Sequence, residues 1–536
     1  VSVGTVCFVG LGPGDEGLLT LRAVERLGEA DVVVVDQAGR DAVLLAHCRA
    51  GVEVLDAGFG DDGQPMTLNA RAKLVARAAR NGATVVRLMD GDPATFAGLE
   101  EEVRACRRAG VPFEVVPGVS AVTAVPAYAG MVLTPTGTAG VHVVHPRGES
   151  TDWTPHAGGA TTVVVLGTVE EVLAAAAGLL AAGRTPATPV AVIAEGTTVR
   201  QRTVTCRLSE VAAALPAARL SPPGRPGQRL IAVVGEAAGI ADSARWFETR
   251  PLFGWRVLVP RTKEQASSMV ARLAGHGATA EVVPTIAVEP PRSAQQIEKA
   301  VKGLVTGRYE WVGFTSVNAV RAIREKVEAF GLDVRALAGL KVAAVGGVTA
   351  AALREWGIEP DLVPSGEIEQ SASGLLEIWP PFDAGEDPID RVFLPRADIA
   401  TETLVAGLHG LGWEVDDVTA YRTVRAAPPP VQIREAIKSG QFDAVAFTSS
   451  STVRNLIGIA GKPHPTTVVA CIGPATAKTA QEHGLRVDVL AAEPNAAALV
   501  EALAEYGNGL RASAARAGEP VVRPSQRRSA TRRSAK

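Results

Sequence analysis

The sequence predicts an α/β protein whose C-terminal half is a bilobal pair of doubly wound parallel sheets. Three observations support this. Apolar, β-rich runs such as 311–315 and 444–448 break into Thr-Ser and then into a helix-like pattern, so strands feed helix N-termini. The same strand-then-helix rhythm continues along the half, which argues for parallel sheets covered by helices. The phrases also recur: EWVGFTSVNAV at 310–320 is echoed by DAVAFTSSSTVRN at 443–455, VPRT at 259–262 by LPRA at 394–397, and AVGGVTA at 344–350 by CIGPATA at 471–477. The paired phrases lie at similar intervals, the mark of a degenerate internal duplication in which two related lobes face one cleft.

A length of 536 residues with 47% hydrophobic content allows three or four folding units with full cores. No run approaches the ~18 consecutive apolar residues of a membrane span, and no secretory signal is legible. The five cysteines, Cys7, Cys48, Cys106, Cys206 and Cys471, lack CxxC spacing, so neither a disulfide framework nor a zinc site is expected and a cytoplasmic setting is. A formal net charge of −3 argues against nucleic-acid binding by the folded body. Only the end is strongly basic: 511–536 is rich in Arg, Ser and Ala, and a disordered tail is expected over 506–536, with polyanion binding as its alternative role.

Taken in order, residues 5–9 form a short apolar strand that opens into GLGPGD. Gly10, Gly12 and Gly14 permit a tight turn with backbone close to a ligand, while Pro13 fixes its own φ. A helix over 20–27 and a buried strand over 31–35 complete a βαβ-like unit. The loop is not the dinucleotide fingerprint, because the further glycine of GxGxxG is absent. Farther on, VVRLMDGDPATF at 85–96 sets Gly91, Asp92 and Pro93 after a strand, and FEVVPGVSAVTAVPAYAGMVLTP at 113–135 and TPVAVIAEGTTVRQRTVTCRLSEV at 188–211 follow.

These four separated motifs, in this order, resemble the tetrapyrrole methylase family, and within it the uroporphyrinogen-III C-methyltransferases. The resemblance implies two α/β subdomains with S-adenosylmethionine folded between them, and a homodimer for this half. It places Gly10, Gly12, Pro13, Gly14, Gly91, Asp92, Ser120, Ala121, Leu166 and Gly196 at the cofactor, with Leu166 in the place of a usual Met and Asp90 in that of a first Gly. Asp36 falls where the family has a candidate proton acceptor; its other reading is a solvated strand-end carboxylate. The tetrapyrrole side departs from the pattern, since Met89, Gly98, Thr136 and the pair Gly58 and Phe59 stand where the family carries cations or a Thr-His-Arg turn. A polycarboxylate substrate wants such cations for charge-assisted pairing.

The Pro/Gly-rich loop at 220–228 is followed by a resumed strand at 229–236, so the junction falls at 241–254, a connector made firm by Trp246, Phe247 and Phe253. Strands are then expected at 256–260, 280–284, 311–315, 341–345, 391–394, 414–421, 444–448 and 468–472. In such sheets ligands gather outside the carboxyl ends of the strands. The stretches PLFGWRVLVPR, FTSVNAV, AVGGVTA, VTAYRTV, AFTSSSTV and IGPATAKTA together resemble uroporphyrinogen-III synthase, a two-domain enzyme acting on hydroxymethylbilane. The resemblance implies one lobe from 254–285 plus 422–505 and the other from 286–420, with neither cofactor nor metal.

Loss of hydroxide from the bilane and ring closure with inversion of the last pyrrole would then rest on proximity and orientation. Thr315, Ser316, Thr349, Thr448, Ser449 and Thr476 are the expected substrate hydroxyls, with Gly346 and Gly473 admitting backbone and Arg261 and Arg396 pairing carboxylates. Each hydroxyl also reads as a helix N-cap, and each arginine as a solvated strand end. Tyr421 matches a tyrosine that the family offers as an acid, with a half-buried hinge residue as its alternative. His409, His464 and His483 stand alone and are expected to be structural.

The sequence therefore reads as a cytoplasmic fusion, with a methylase-like domain at 1–240, a connector at 241–253 and a synthase-like domain at 254–505. It would make uroporphyrinogen III and methylate it toward precorrin-2, sirohaem and cobalamin, with these small molecules as its partners. The alternatives are a synthase with a catalytically silent methylase half, and a bilobal small-molecule sensor without turnover.

Overall fold

A computed structural model describes residues 4–36, 44–60, 64–95, 98–146, 151–218, 220, 230–239, 244–366, 368–398 and 402–527. The chain divides into two compact units, Val1–Trp255 with Leu273–Thr279 and Gly507–Ala517, and Arg256–Arg272 with Ala280–Tyr506 and Gly518–Lys536. Most of the 220–228 loop lies outside the described residues.

The first unit opens with β1 (Thr5–Gly10), β2 (Val32–Val35), β3 (Glu53–Asp56), β4 (Thr84–Met89) and β5 (Phe113–Val116), ordered β3-β2-β4-β1-β5 and parallel throughout. The central strands are covered on both faces, which is why their sequences run apolar without alternation. Val6, Phe8, Val34 and Met89 enter one core with Ala72, Val75 and Cys106. Their neighbours Cys7, Val9, Val33, Val35 and Leu88 enter the other with Ala23 and Leu27, as a period of two requires. The predicted βαβ-like unit is present, its helix Leu21–Glu29 capped by Thr20, but β4 lies between β1 and β2.

The second sheet of this unit is mixed. β6 (Gly140–Val144), β7 (Thr161–Gly167), β8 (Pro189–Ala194), β9 (Arg202–Arg207) and β10 (Leu230–Val234) are ordered β6-β7-β10-β8-β9, and only β6 and β7 pair in parallel. The resumed strand after the Pro/Gly loop is β10, inserted between β7 and β8.

The second unit has two sheets. β11 (Arg256–Val259), β12 (Thr279–Val282), β18 (Ala444–Phe447), β19 (Val468–Cys471) and β20 (Val489–Leu490) form one, ordered β12-β11-β18-β19-β20. The other contains β13 (Ile286–Glu289), β14 (Trp311–Phe314), β15 (Lys341–Ala344), β16 (Arg391–Ala397) and β17 (Glu414–Arg425), ordered β13-β17-β16-β14-β15. The expectation of purely parallel sheets needs one correction: β13 pairs antiparallel with the end of β17, Ile286 opposite Arg425 and Glu289 opposite Arg422. β13 is a half-exposed edge strand of four residues, too short for its period to be read.

The expected disordered tail also needs correction. A helix runs over Ala496–Ala517, anchored by buried Leu499, Val500 and Leu503, and continues through Gly507-Asn508-Gly509 into a last stretch rich in Ala and Arg, which are strong helix formers. Pro524 is buried, and Ser525 N–H donates to Asp443 Oδ1 at 2.9 Å. Residues 528–536 lie outside the described ones. Among the described residues no helix is long and apolar enough to cross a membrane, and no three His, Cys, Asp or Glu side chains group as metal ligands.

Candidate functional site

In the first unit the loops after β1, β4 and β5 converge at the carboxyl ends of their strands, where a parallel sheet offers its ligand side. Gly12 and Gly91 exchange both backbone hydrogen bonds, at 3.1 and 3.0 Å. A Cβ on Gly118 would stand 2.1 Å from the Gly91 carbonyl oxygen, so this crossing admits no side chain. Gly118, which was not singled out from the sequence, is thus as demanding a position as Gly10. Ser120 caps the helix Ala121–Tyr128, and a Cβ on Gly91 would have Ala121 N, 3.9 Å away, as its nearest atom. Asp92 is committed to its own turn, accepting from Ala94 N–H at 2.7 Å. Leu166 is buried in the apolar wall with Val122 and Val125, and its carbonyl bonds His145 Nδ1 at 2.9 Å. Pro13 and Gly14 approach the 195–198 turn, where a Cβ on Gly14 would lie 2.9 Å from Thr198 Cγ2 and Gly196 packs on Val125. A helix N-terminus at Ala121, open space beside Gly91 and an apolar wall fit an amino-acid and ribose moiety beside an apolar methyl.

Asp36, at the end of β2, keeps 39% of its side chain exposed, as its simpler reading expects, but it is paired. Arg71 Nη1 and Arg87 Nη2 both bond its Oδ1 at 2.7 Å. Arg87 and Glu102 are fully buried, and Arg87 Nε reaches both Glu102 oxygens at 3.0 and 3.3 Å. Burial alone would lower the Arg87 pKa, but Glu102 and Asp36 outweigh it and raise it. The sequence reading placed Asp36 in surroundings stripped of cations, yet the structure brings it two, from β4 and from the helix Leu68–Ala78. Arg71 carried no legible signal, being one of many in an Arg-rich chain, whereas Arg87 lies within the 85–96 motif without having been given a role.

In the second unit the duplicated phrases become matching geometry. Ser316 and Ser449 cap the helices Val317–Ala329 and Ser450–Ala460 with nearly the same backbone, φ −164 and −169. Gly346 and Gly473 occupy the N-cap of the next helix in each lobe. Asp361 accepts from Val342 N–H and Asp488 from Val469 N–H, at 2.7 and 2.9 Å, an equivalence the sequence comparison did not reveal. Thr315 and Thr448 lie half-buried at the strand ends. Thr349 and Thr476 are corrections: at 5% and 4% exposure they are core hydroxyls of their helices, not rim contacts. Arg396 is another, since it is 6% exposed and paired through Nε and Nη2 with Asp417. Arg261 differs; it is half-buried, has no carboxylate partner among the described residues, and burial pushes its pKa down.

The lobes also diverge at their second helix. Gly347 N–H donates to Gln370 Oε1 at 2.9 Å, so that N-terminus is already occupied, by a residue without a sequence signal. At Gly473 a Cβ would meet nothing within 4 Å.

Tyr421 sits on β17 opposite Ala397 of β16, level with the carboxyl ends of the sheet. Its ring is in the lobe core, and its hydroxyl shares a 2.9 Å hydrogen bond with Ser316 Oγ, which also accepts from Ala319 N–H at 3.1 Å. Two residues far apart in sequence are thus one polar pair. His409, His464 and His483 bond carbonyls or a threonine hydroxyl within their own segments.

Comparison with known proteins follows the same division. A family model described as Tetrapyrrole (Corrin/Porphyrin) Methylases matches residues 5–212, and one described as Uroporphyrinogen-III synthase HemD matches 267–501. The chain is 29% identical over 526 residues to the Porphyrin biosynthesis protein HemD of Ruminiclostridium josui, covering 94% of this chain and 99% of that one. It is 30% identical over 341 residues to the Uroporphyrinogen-III C-methyltransferase of Bacillus subtilis, covering 62% and 68%. It is also 37% identical over 249 residues to the Siroheme synthase of Tolumonas auensis, covering 46% of this chain and only 51% of that relative's length.

Proposed function

The chain belongs to the tetrapyrrole methylase family and joins that domain to a uroporphyrinogen-III synthase HemD domain, and from this premise we propose that it performs two consecutive steps on one substrate line. The second unit cyclises hydroxymethylbilane to uroporphyrinogen III. The first methylates uroporphyrinogen III with S-adenosylmethionine.

The observation that carries the synthase reading is the Tyr421–Ser316 pair at the strand ends. Ser316 Oγ accepts from Ala319 N–H, and either hydroxyl can donate in its bond to Tyr421; in the proposed reaction Ser316 is the donor, which leaves the Tyr421 proton for substrate. As the hydroxymethyl C–O bond breaks, that proton leaves with the hydroxyl as water, and the Ser316 bond stabilises the phenolate. The proton released when the pyrrole ring closes restores the phenol. Carboxylates are held by the other lobe, through Arg261 and the uncovered N-terminus at Gly473.

In the first unit, bound S-adenosylmethionine supplies an electrophilic methyl group. The chain's own part is to seat it at the Ala121 N–H in the space beside Gly91, wall it with Leu166 and take up the displaced ring proton. Asp36 is the acceptor, through Oδ2, because both arginines bond Oδ1.

The same two arginines favour a second reading, a synthase whose first unit binds cofactor without turnover, because they occupy the acceptor carboxylate. Purified protein is supplied with porphobilinogen and the deaminase that makes hydroxymethylbilane, and oxidised isomers I and III are separated. Isomer III in excess is expected, and isomer I alone rejects the synthase. Adding methyl-labelled S-adenosylmethionine and uroporphyrinogen III separates the remaining two, since absence of label in product leaves only the silent version.

A further inference from the structure

We propose that Gln201 and Glu248 are positioning residues for the Pro13–Asp15 loop, acting through a strained threonine; this rests on the S-adenosylmethionine reading of that loop. Among the described residues only Glu195 and Thr197 have positive φ without being glycine, at 50° and 63°. A β-branched residue in that region is an outlier, and glycine is the residue that adopts it without strain. What glycine cannot supply is an oxygen. Thr197 Oγ1 accepts from Asp15 N–H at 3.1 Å, and so fixes the residue that follows the Gly-Pro-Gly turn.

The strain is held from behind. Thr197 and Gln201 are each 2% exposed, and Thr197 N–H donates to Gln201 Oε1 at 2.7 Å. Gln201 Nε2 donates in turn to Glu248 Oε1 at 2.9 Å, and Thr203 Oγ1 reaches the same oxygen at 2.5 Å. Glu248 is itself fixed at its backbone, where its carbonyl accepts from Arg511. The other flank of the loop meets the same connector: Tyr128 O–H donates to Asp15 Oδ2 at 2.8 Å, with its ring packed against Trp246 and Phe247 at 5.0 and 4.7 Å between centroids. Residues read from sequence as a connector therefore brace the loop from both sides. Strain that persists under such bracing belongs with sites whose geometry matters.

The test uses the full chain, titrated calorimetrically with S-adenosylhomocysteine. Gln201→Leu and Glu248→Leu are expected to weaken binding about tenfold, the order of a lost hydrogen bond to a buried group. Glu248→Gln keeps the accepting oxygen and is expected to bind within about twofold of the parent. Thr197→Gly removes strain and oxygen together, so binding should fall while the melting temperature holds or rises, a combination that a purely structural role would not give. Parental affinity in Gln201→Leu and Glu248→Leu, or equal losses in the two Glu248 variants, overturns the bracing role alone. A parent that does not bind the nucleoside overturns the cofactor reading with it.

Discussion

Replacing Tyr421 by phenylalanine separates chemistry from stability. The ring is 6% exposed in the lobe core, and phenylalanine fills the same space, so packing is retained. What is lost is one hydroxyl and its 2.9 Å bond to Ser316, whose Oγ still accepts from Ala319 N–H. A neutral hydrogen bond of this kind contributes about 1 kcal/mol, so the unfolding midpoint should move by only a few degrees. Removing a general acid costs about 10² to 10⁴ in rate, or about 3 to 5 kcal/mol of barrier. The rate of isomer III formation should therefore fall at least about a hundredfold, with the product shifting to isomer I, while the protein stays folded. Ser316→Ala removes an N-cap as well, so it should lose about 1 kcal/mol more stability than Tyr421→Phe yet retain more activity. Both variants are followed in the coupled assay from porphobilinogen, beside a melting curve. Isomer III at the parental rate from Tyr421→Phe would refute the assignment.

Three further outcomes follow. Arg261→Gln should raise the KM for hydroxymethylbilane about tenfold with little loss of stability, whereas Arg396→Gln should lower the melting temperature by leaving Asp417 unpaired; the reverse pattern in steady-state kinetics and melting would show that the two arginines had been assigned wrongly. Glu102→Gln removes one of the two carboxylates on the fully buried Arg87 guanidinium, Asp36 remaining, and should destabilise the first unit by about 1.5–3 kcal/mol; a urea-titration loss below about 1 kcal/mol would mean the pair is solvated in solution. Burial, and then His142, whose Nδ1 lies 3.0 Å from that of His156, hold His156 below the ordinary histidine value. The unfolded chain therefore takes up that proton first, so stability is full above about pH 6.5 and falls as pH drops through it. Urea midpoints at about pH 7.5 and about pH 5.5 should differ less in His156→Gln than in the parent, and an undiminished difference would reject the pair as the cause.

The sequence exposed most of the architecture because buried parallel strands leave long apolar runs that end abruptly in polar rims. The rim serines were legible for the same reason, as Thr-Ser after a strand is also a helix start. What escaped was set by side-chain direction and by partners distant in sequence. Thr349 and Thr476 recur as faithfully as Ser316 and Ser449, but recurrence does not distinguish a hydroxyl at the cap from one three residues along that turns into the core. Arg396 looked like a strand-end cation until Asp417 of the neighbouring strand proved to hold it. The cations around Asp36 were missed because pairing depends on direction: Arg87 stands within the 85–96 motif, but nothing in the sequence says that it and Arg71 of the helix Leu68–Ala78 turn toward the end of β2.

Under the proposed function, the duplication accounts for the scaffold and its imperfections for a division of labour between the lobes. Were the lobes functionally equivalent, each would present a capped serine, an open glycine N-terminus and an uncommitted arginine. Only one does: the lobe containing Arg261 leaves Gly473 uncovered, while the lobe containing Arg396 fills the matching places with Asp417 and Gln370. That second lobe instead has Tyr421 bonded to its rim serine. A linear tetrapyrrole is itself polar in this sense, with many carboxylates along its length and one leaving group at one end. Anion-holding groups on one lobe and a proton donor on the other match that distribution, whereas two identical rims would bind the chain in either direction and lose the distinction on which ring inversion depends.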